Sequence, residues 1–110
     1  MIWDLLLISA VLALAACQAA LPPAPVTAQT VTYHCEDGRT LQASYPDTDT
    51  AVLALDGRIH RLHIALSASG ARYTGDGWQW WTKGLRDGQL APLQAGEKYA
   101  SALGVACQVR

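Results

Sequence analysis

The sequence predicts an all-β fold, a small eight-stranded antiparallel barrel closed by one disulfide. Three observations carry that expectation. From Val31 onward apolar residues recur with a period of two, the pattern of half-buried strands. Asp-Gly turn chemistry recurs at Asp37-Gly38, Asp56-Gly57 and Asp76-Gly77, separating short β-forming runs. Cys35 and Cys107 fall in the apolar register of the first and last runs, so a bond between them favours a closed barrel over an open sheet. Closure also removes sheet edges.

The chain of 110 residues allows one domain. Its opening reads differently from the rest. Leu5 to Ala16 is a mostly apolar run, too short to span a bilayer and right for a signal-peptide core. It ends in Leu14-Ala15-Ala16-Cys17, small residues before a Cys, as a lipoprotein signal peptidase requires. No Lys or Arg precedes the run, only Asp4, which departs from the usual signal. The Leu-Ala-Ala-Cys ending still favours residues 1–16 as a lipoprotein signal peptide and Cys17 as the lipidated residue. The alternative is an ordinary secretory signal with a spare or buried Cys.

Residues 17–30 then read as the lipidated Cys and a Pro/Ala-rich tether, with Pro22, Pro23 and Pro25 stiffening it. Several acyl chains hold better than one, because each buried methylene adds about 0.8 kcal/mol. Gln18 stands where inner-membrane retention uses Asp, so the expected place is the outer membrane, with the domain facing the periplasm. Once Cys17 is acylated, two cysteines remain, and an oxidising periplasm pairs them. The loop from Cys35 to Cys107 is long, and its closure stabilises the fold by roughly 4 kcal/mol.

Residues 31–110 form the folded domain. Val31, Tyr33 and Cys35 alternate with Thr32, His34 and Glu36 on a first strand. After Asp37-Gly38, Leu41, Ala43 and Tyr45 alternate on a second. Pro46 to Asp49 turns the chain, and Ala51 to Leu55 is the third strand. Ile59, Leu62, Ile64 and Leu66 mark a fourth, in which Ile59 breaks parity and calls for a bulge near His60-Arg61. Ala71 to Thr74 and Trp78 to Thr82 are hairpin arms. Gln89 to Leu93 is the seventh strand, with Pro92 confining it to a strand end or edge. Leu103, Val105, Cys107 and Val109 alternate on the eighth, and Gln94 to Ala102 is expected to be a loop.

Ser67 to Gly84 stands out within this plan. It holds three of the four Trp and one of only two Lys, around the turn Thr74-Gly75-Asp76-Gly77. A core hairpin does not need Lys83, and a solvated hairpin does not need three Trp. The plain alternative is a Trp-rich core hairpin with a solvated Lys at its end.

Ser-Ala-Ser-Gly-Ala-x-Tyr (residues 67–73), followed by Trp-Trp-Thr-Lys-Gly (residues 80–84), resembles the signature of the membrane-bound c-type lysozyme inhibitor family of bacterial lipoproteins. Tyr33-His34-Cys35, Gly38, Leu41 and Cys107 extend the resemblance over about residues 31 to 109. It implies a small eight-stranded antiparallel barrel, a c-type lysozyme as protein partner, and protection of the bacterial cell wall. By motif, the family's functional Ser and Lys fall on Ser69 and Lys83, with Gly70 beside them. Tyr73 either adds a contact or only packs.

Lysozymes cleave their glycan with two carboxyl groups flanking the scissile bond. A cation and a neutral donor are the groups that would block such a pair. Asp47, Asp49 and Asp76 provide solubility, or steer a basic partner such as a c-type lysozyme.

Other classes are weaker. Without Asp4, eight basic residues meet eight acidic ones, so no nucleic-acid partner is expected. The cysteines with His34, His60 and His63 lack Cys-x-x-Cys or paired-His spacing, so neither a metal nor a cofactor is expected. No phosphate loop or acid–base spacing suggests an enzyme. The rival reading is an envelope lipoprotein whose barrel binds a glycan or small ligand, with the Trp cluster as stacking platform.

Overall fold

The chain winds up and down through eight strands, each hydrogen-bonded to the next, and the last returns to the first. In this computed structural model residues 29–110 are described; the signal segment, Cys17 and the tether as far as residue 28 lie outside them. The strands are β1 (Thr30–Cys35), β2 (Thr40–Asp47), β3 (Thr50–Leu55), β4 (Arg58–Ala65), β5 (Ala71–Gly75), β6 (Trp78–Lys83), β7 (Asp87–Pro92) and β8 (Val105–Gln108). None of the described residues is helical, and 93–104 is a loop.

The antiparallel barrel closes where β1 pairs with β8, His34 opposite Gln108 and Cys35 opposite Cys107. Those two cysteines are disulfide-bonded, so the covalent link sits on the seam itself. Asp56 and Asp76 lie at φ 51, each followed by a glycine at positive φ, as tight hairpin turns between twisted strands require.

Alternation fills the interior as expected. Tyr33, Leu41, Leu53, Leu62 and Trp80 are fully buried, with Leu55, Leu90 and Cys107 beside them. Trp80 is the largest, and Tyr33 meets its indole edge-on at 4.9 Å. Gly88 makes room for it, because a Cβ there would stand 2.4 Å from the ring.

Three expectations fail, the first being Leu66, which was expected on the fourth strand and lies just beyond the end of β4 at Ala65. The pairing of β3 with β4 runs without a register shift from Thr50↔His63 to Leu55↔Arg58, so there is no bulge at His60-Arg61 on that side. Ile59 breaks parity because it faces outward and is 67% exposed. The irregularity lies instead in β2, between Ser44 and Asp47. Leu103, assigned to the eighth strand, precedes it in the loop and is 97% exposed. β8 is four residues long, and Cys107 is its one fully buried residue.

Candidate functional site

Antiparallel winding sorts the connections to the two ends of the barrel. The β4–β5 connection (66–70) and the β6–β7 connection (84–86) share one end with the β2–β3 turn. Ala71 pairs with Thr82, so Gly70 and Lys83 stand side by side at the open end of the β5–β6 hairpin, with Ser69 one residue further out. The fold therefore brings together Ser69, Gly70 and Lys83, and all three are exposed.

The Ser69 segment is held at several points. Gly70 is at φ 68, and a Cβ there would lie 2.2 Å from the Thr82 carbonyl oxygen. A glycine is thus needed for both the conformation and the close approach. Trp81 Nε1 donates to the Ser69 carbonyl at 2.8 Å. The Ser67 hydroxyl donates to the Gly70 carbonyl at 3.0 Å, and Arg72 Nε to the Leu66 carbonyl at 2.9 Å.

The Lys83 segment is held from below. Tyr33 donates its hydroxyl to the Leu85 carbonyl at 2.9 Å, and Val109 N–H donates to the Arg86 carbonyl at 3.0 Å. Burial raises the Tyr33 hydroxyl above the ordinary tyrosine range, so it stays a protonated donor. None of the ion pairs among the described residues uses Lys83. Its cross-strand neighbour is Asp87, with which it forms no ion pair.

Tyr73 faces inward and is 7% exposed, its ring 5.7 Å from that of Tyr45. With Tyr45, Thr48, Thr82 and Leu85 it lines a concavity at the mouth of the barrel. Leu66 and Leu85, one in each connection, are 82% and 73% exposed. The sequence reading missed both as surface features, because their signal looks the same as that of a core leucine. It also passed over Arg72, an unnamed position inside the motif.

The carboxylates divide between the ends. Asp47 ends β2 and Asp49 follows in the turn, near the Ser69 end. Backbone N–H donation from Asp49 holds the Asp47 carboxyl below its usual range. Asp76 lies in the β5–β6 turn at the far end, where it accepts from or pairs with His60 Nδ1 at 2.6 Å. Among the described residues no three His, Cys, Asp or Glu side chains converge as a metal site.

The barrel thus presents a hydroxyl on the β4–β5 connection and, at the end of β6, a lysine that none of the ion pairs among the described residues includes. The family described as "Membrane-bound lysozyme-inhibitor of c-type lysozyme" matches residues 33–100. This chain belongs to that family.

A Cupriavidus necator protein described as a membrane-bound lysozyme inhibitor of C-type lysozyme is 42% identical over 83 residues, 73% of this chain and 65% of that protein. A Pseudomonas aeruginosa protein with the same description is 34% identical over 96 residues, 83% of this chain and 73% of that protein. The matched part of the chain thus spans about two thirds of the first relative's length. The crystal structure of Pseudomonas aeruginosa MliC in complex with hen egg white lysozyme resembles this fold with a TM-score of 0.52 at 32% identity. That likeness covers 83% of this chain and 91% of that one.

Proposed function

We propose that this protein inhibits c-type lysozyme, entering the enzyme's cleft with Ser69 and Lys83 and so protecting the bacterial cell wall. The observation that carries the reading is the side-by-side placement of the Gly70 and Lys83 backbones at the hairpin's open end, with Lys83 in none of the ion pairs among the described residues. The solved neighbour is a lysozyme complex, which names the partner class.

The chemistry follows from the target. A retaining glycosidase holds its two carboxyl groups about 5–5.5 Å apart, and a c-type lysozyme keeps one of them ionised. The Lys83 ammonium answers the ionised carboxylate, and Ser69 offers a neutral donor beside it. Gly70 keeps the Ser69 backbone close to β6, and Tyr73 supports the hairpin from inside. Because both connections are already hydrogen-bonded to the barrel, docking costs little ordering entropy. Asp47 and Asp49 add negative charge at the same end, which steers a basic enzyme inward.

The relatives are described as membrane-bound. The same association is read here as a lipid anchor on Cys17 at the outer membrane, residues 17–30 holding the domain off the bilayer in the periplasm. The deciding experiment incubates the domain from Thr30 onward with a c-type lysozyme and a cell-wall substrate. Stoichiometric loss of lysis supports the reading, and undiminished lysis at excess inhibitor ends it.

A further inference from the structure

A buried arginine sits where the 93–104 connection folds back over the outer face of the hairpin. Arg72 is 3% exposed, although it faces outward beside its cross-strand partner Trp81. Its Nη1 donates to the Lys98 carbonyl at 2.8 Å and to Gln79 Oε1 at 3.3 Å, while its Nε holds the Leu66 carbonyl. The guanidinium stands 4.0 Å from the centre of the Tyr99 ring and 5.9 Å from that of Trp81. Gln79 Oε1 also accepts from the Ala100 N–H at 3.1 Å, closing the contact between loop and sheet.

No ion pair among the described residues includes Arg72. A buried cation satisfied by carbonyls and ring faces, with no carboxylate, is expensive to desolvate. What it joins explains its presence. It touches the Leu66 carbonyl, where the Ser69 segment begins, and packs by Trp81, whose indole holds the Ser69 carbonyl.

We infer that Arg72 is a positioning residue: clamped between Trp81 and Tyr99, it fixes the Ser67–Gly70 segment in its docking shape and makes the 93–104 connection part of the inhibitory device. The inference rests on the inhibitor reading above. A planar fork can reach two carbonyls and an amide while lying against a ring, and a lysine ammonium cannot do all of these. Without the fork, the segment must be ordered at the moment of binding.

The test uses Arg72→Lys, Tyr99→Ala and Tyr99→Phe in the purified protein. Backbone 15N order parameters at Ser67–Gly70, the Trp81 indole N–H resonance and lysozyme inhibition are measured together. For the first two variants, the order parameters at Ser67–Gly70 should fall from about 0.85 toward about 0.6, and inhibition should weaken about tenfold. The Trp81 indole resonance should move toward that of a solvent-bonded indole. Tyr99→Phe keeps the ring and should match the parent.

Unchanged order parameters at Ser67–Gly70 overturn the inference. So does a fall spread evenly over the barrel, or a local fall with full inhibition. If the parent protein itself fails to inhibit, the functional reading falls, and the order parameters alone decide whether Arg72 orders the segment.

Discussion

The Tyr33 hydroxyl donates to the Leu85 carbonyl at 2.9 Å, joining a fully buried core residue to the connection that follows Lys83. The same hydroxyl lies 3.3 Å from that of Tyr45, which in turn accepts from Trp80 Nε1 at 2.9 Å. A chain of side chains thus runs from the barrel core to the proposed contact.

Tyr33→Phe removes both hydrogen bonds of this hydroxyl and leaves the ring in place. It should cost about 1–2 kcal/mol of stability. Inhibition should weaken several-fold, because the Lys83 connection loses a tether. Thermal melting and an inhibition titration check both parts; a full stability loss with unchanged inhibition would confine Tyr33 to the core.

The seam disulfide closes a sequence separation of 72 residues. Its removal in the Cys35→Ser, Cys107→Ser double variant should lower stability by about 4 kcal/mol, mainly by freeing the unfolded chain. Intact mass of the parent should show two hydrogens missing. Denaturant unfolding of the pair measures the loss, and equal midpoints would refute it.

Stability should fall on the acid side. The Ser101 hydroxyl, with N–H groups of Gln94 and Ser101, holds the Glu97 carboxyl below its usual range; Asp49 and Arg39 N–H groups do the same for Asp47 and Asp37. Depressed folded values mean that these contributions are present above the unfolded carboxyl range and lost as pH falls through the folded ones, below about pH 4. Burial raises Tyr33 and Tyr73, so their contribution is present below about pH 10 and lost above it. Melting curves from acid to alkaline pH test this, and Glu97→Gln should flatten the acid limb.

Anchoring has its own test. Cys17→Ala should abolish palmitate labelling and release the protein from the membrane fraction, while the domain from Thr30 onward keeps its inhibitory activity. Unchanged fractionation would dismiss Cys17 as the anchor.

Most of the architecture was legible because a barrel announces itself through a period of two. Tyr33, Leu41, Leu53 and Trp80 face inward as alternation requires, and the Asp-Gly turns fall where the dipeptides stand. Alternation misled where an apolar residue is simply exposed: Ile59 suggested a bulge and Leu103 a longer last strand. The motif brought Ser69, Gly70 and Lys83 to notice, and strand register explains why they share one end of the hairpin. The supports were not legible. Tyr33 reaches Leu85 across 52 positions and Arg72 reaches Lys98 across 26, contacts that no local pattern encodes.

The most direct measurement is the inhibition constant of Lys83→Ala beside the parent, with both melting curves. A desolvated Lys–carboxylate pair broken on one side typically loses about 2–5 kcal/mol. Inhibition should therefore weaken about thirtyfold or more, with the melting temperature nearly unchanged because Lys83 is exposed. Ser69→Ala should cost on the order of 1 kcal/mol, and Lys98→Ala, whose side chain lies outside the contact, should cost little. Equal inhibition by two folded proteins, parent and Lys83→Ala, would contradict the cleft-blocking role of Lys83.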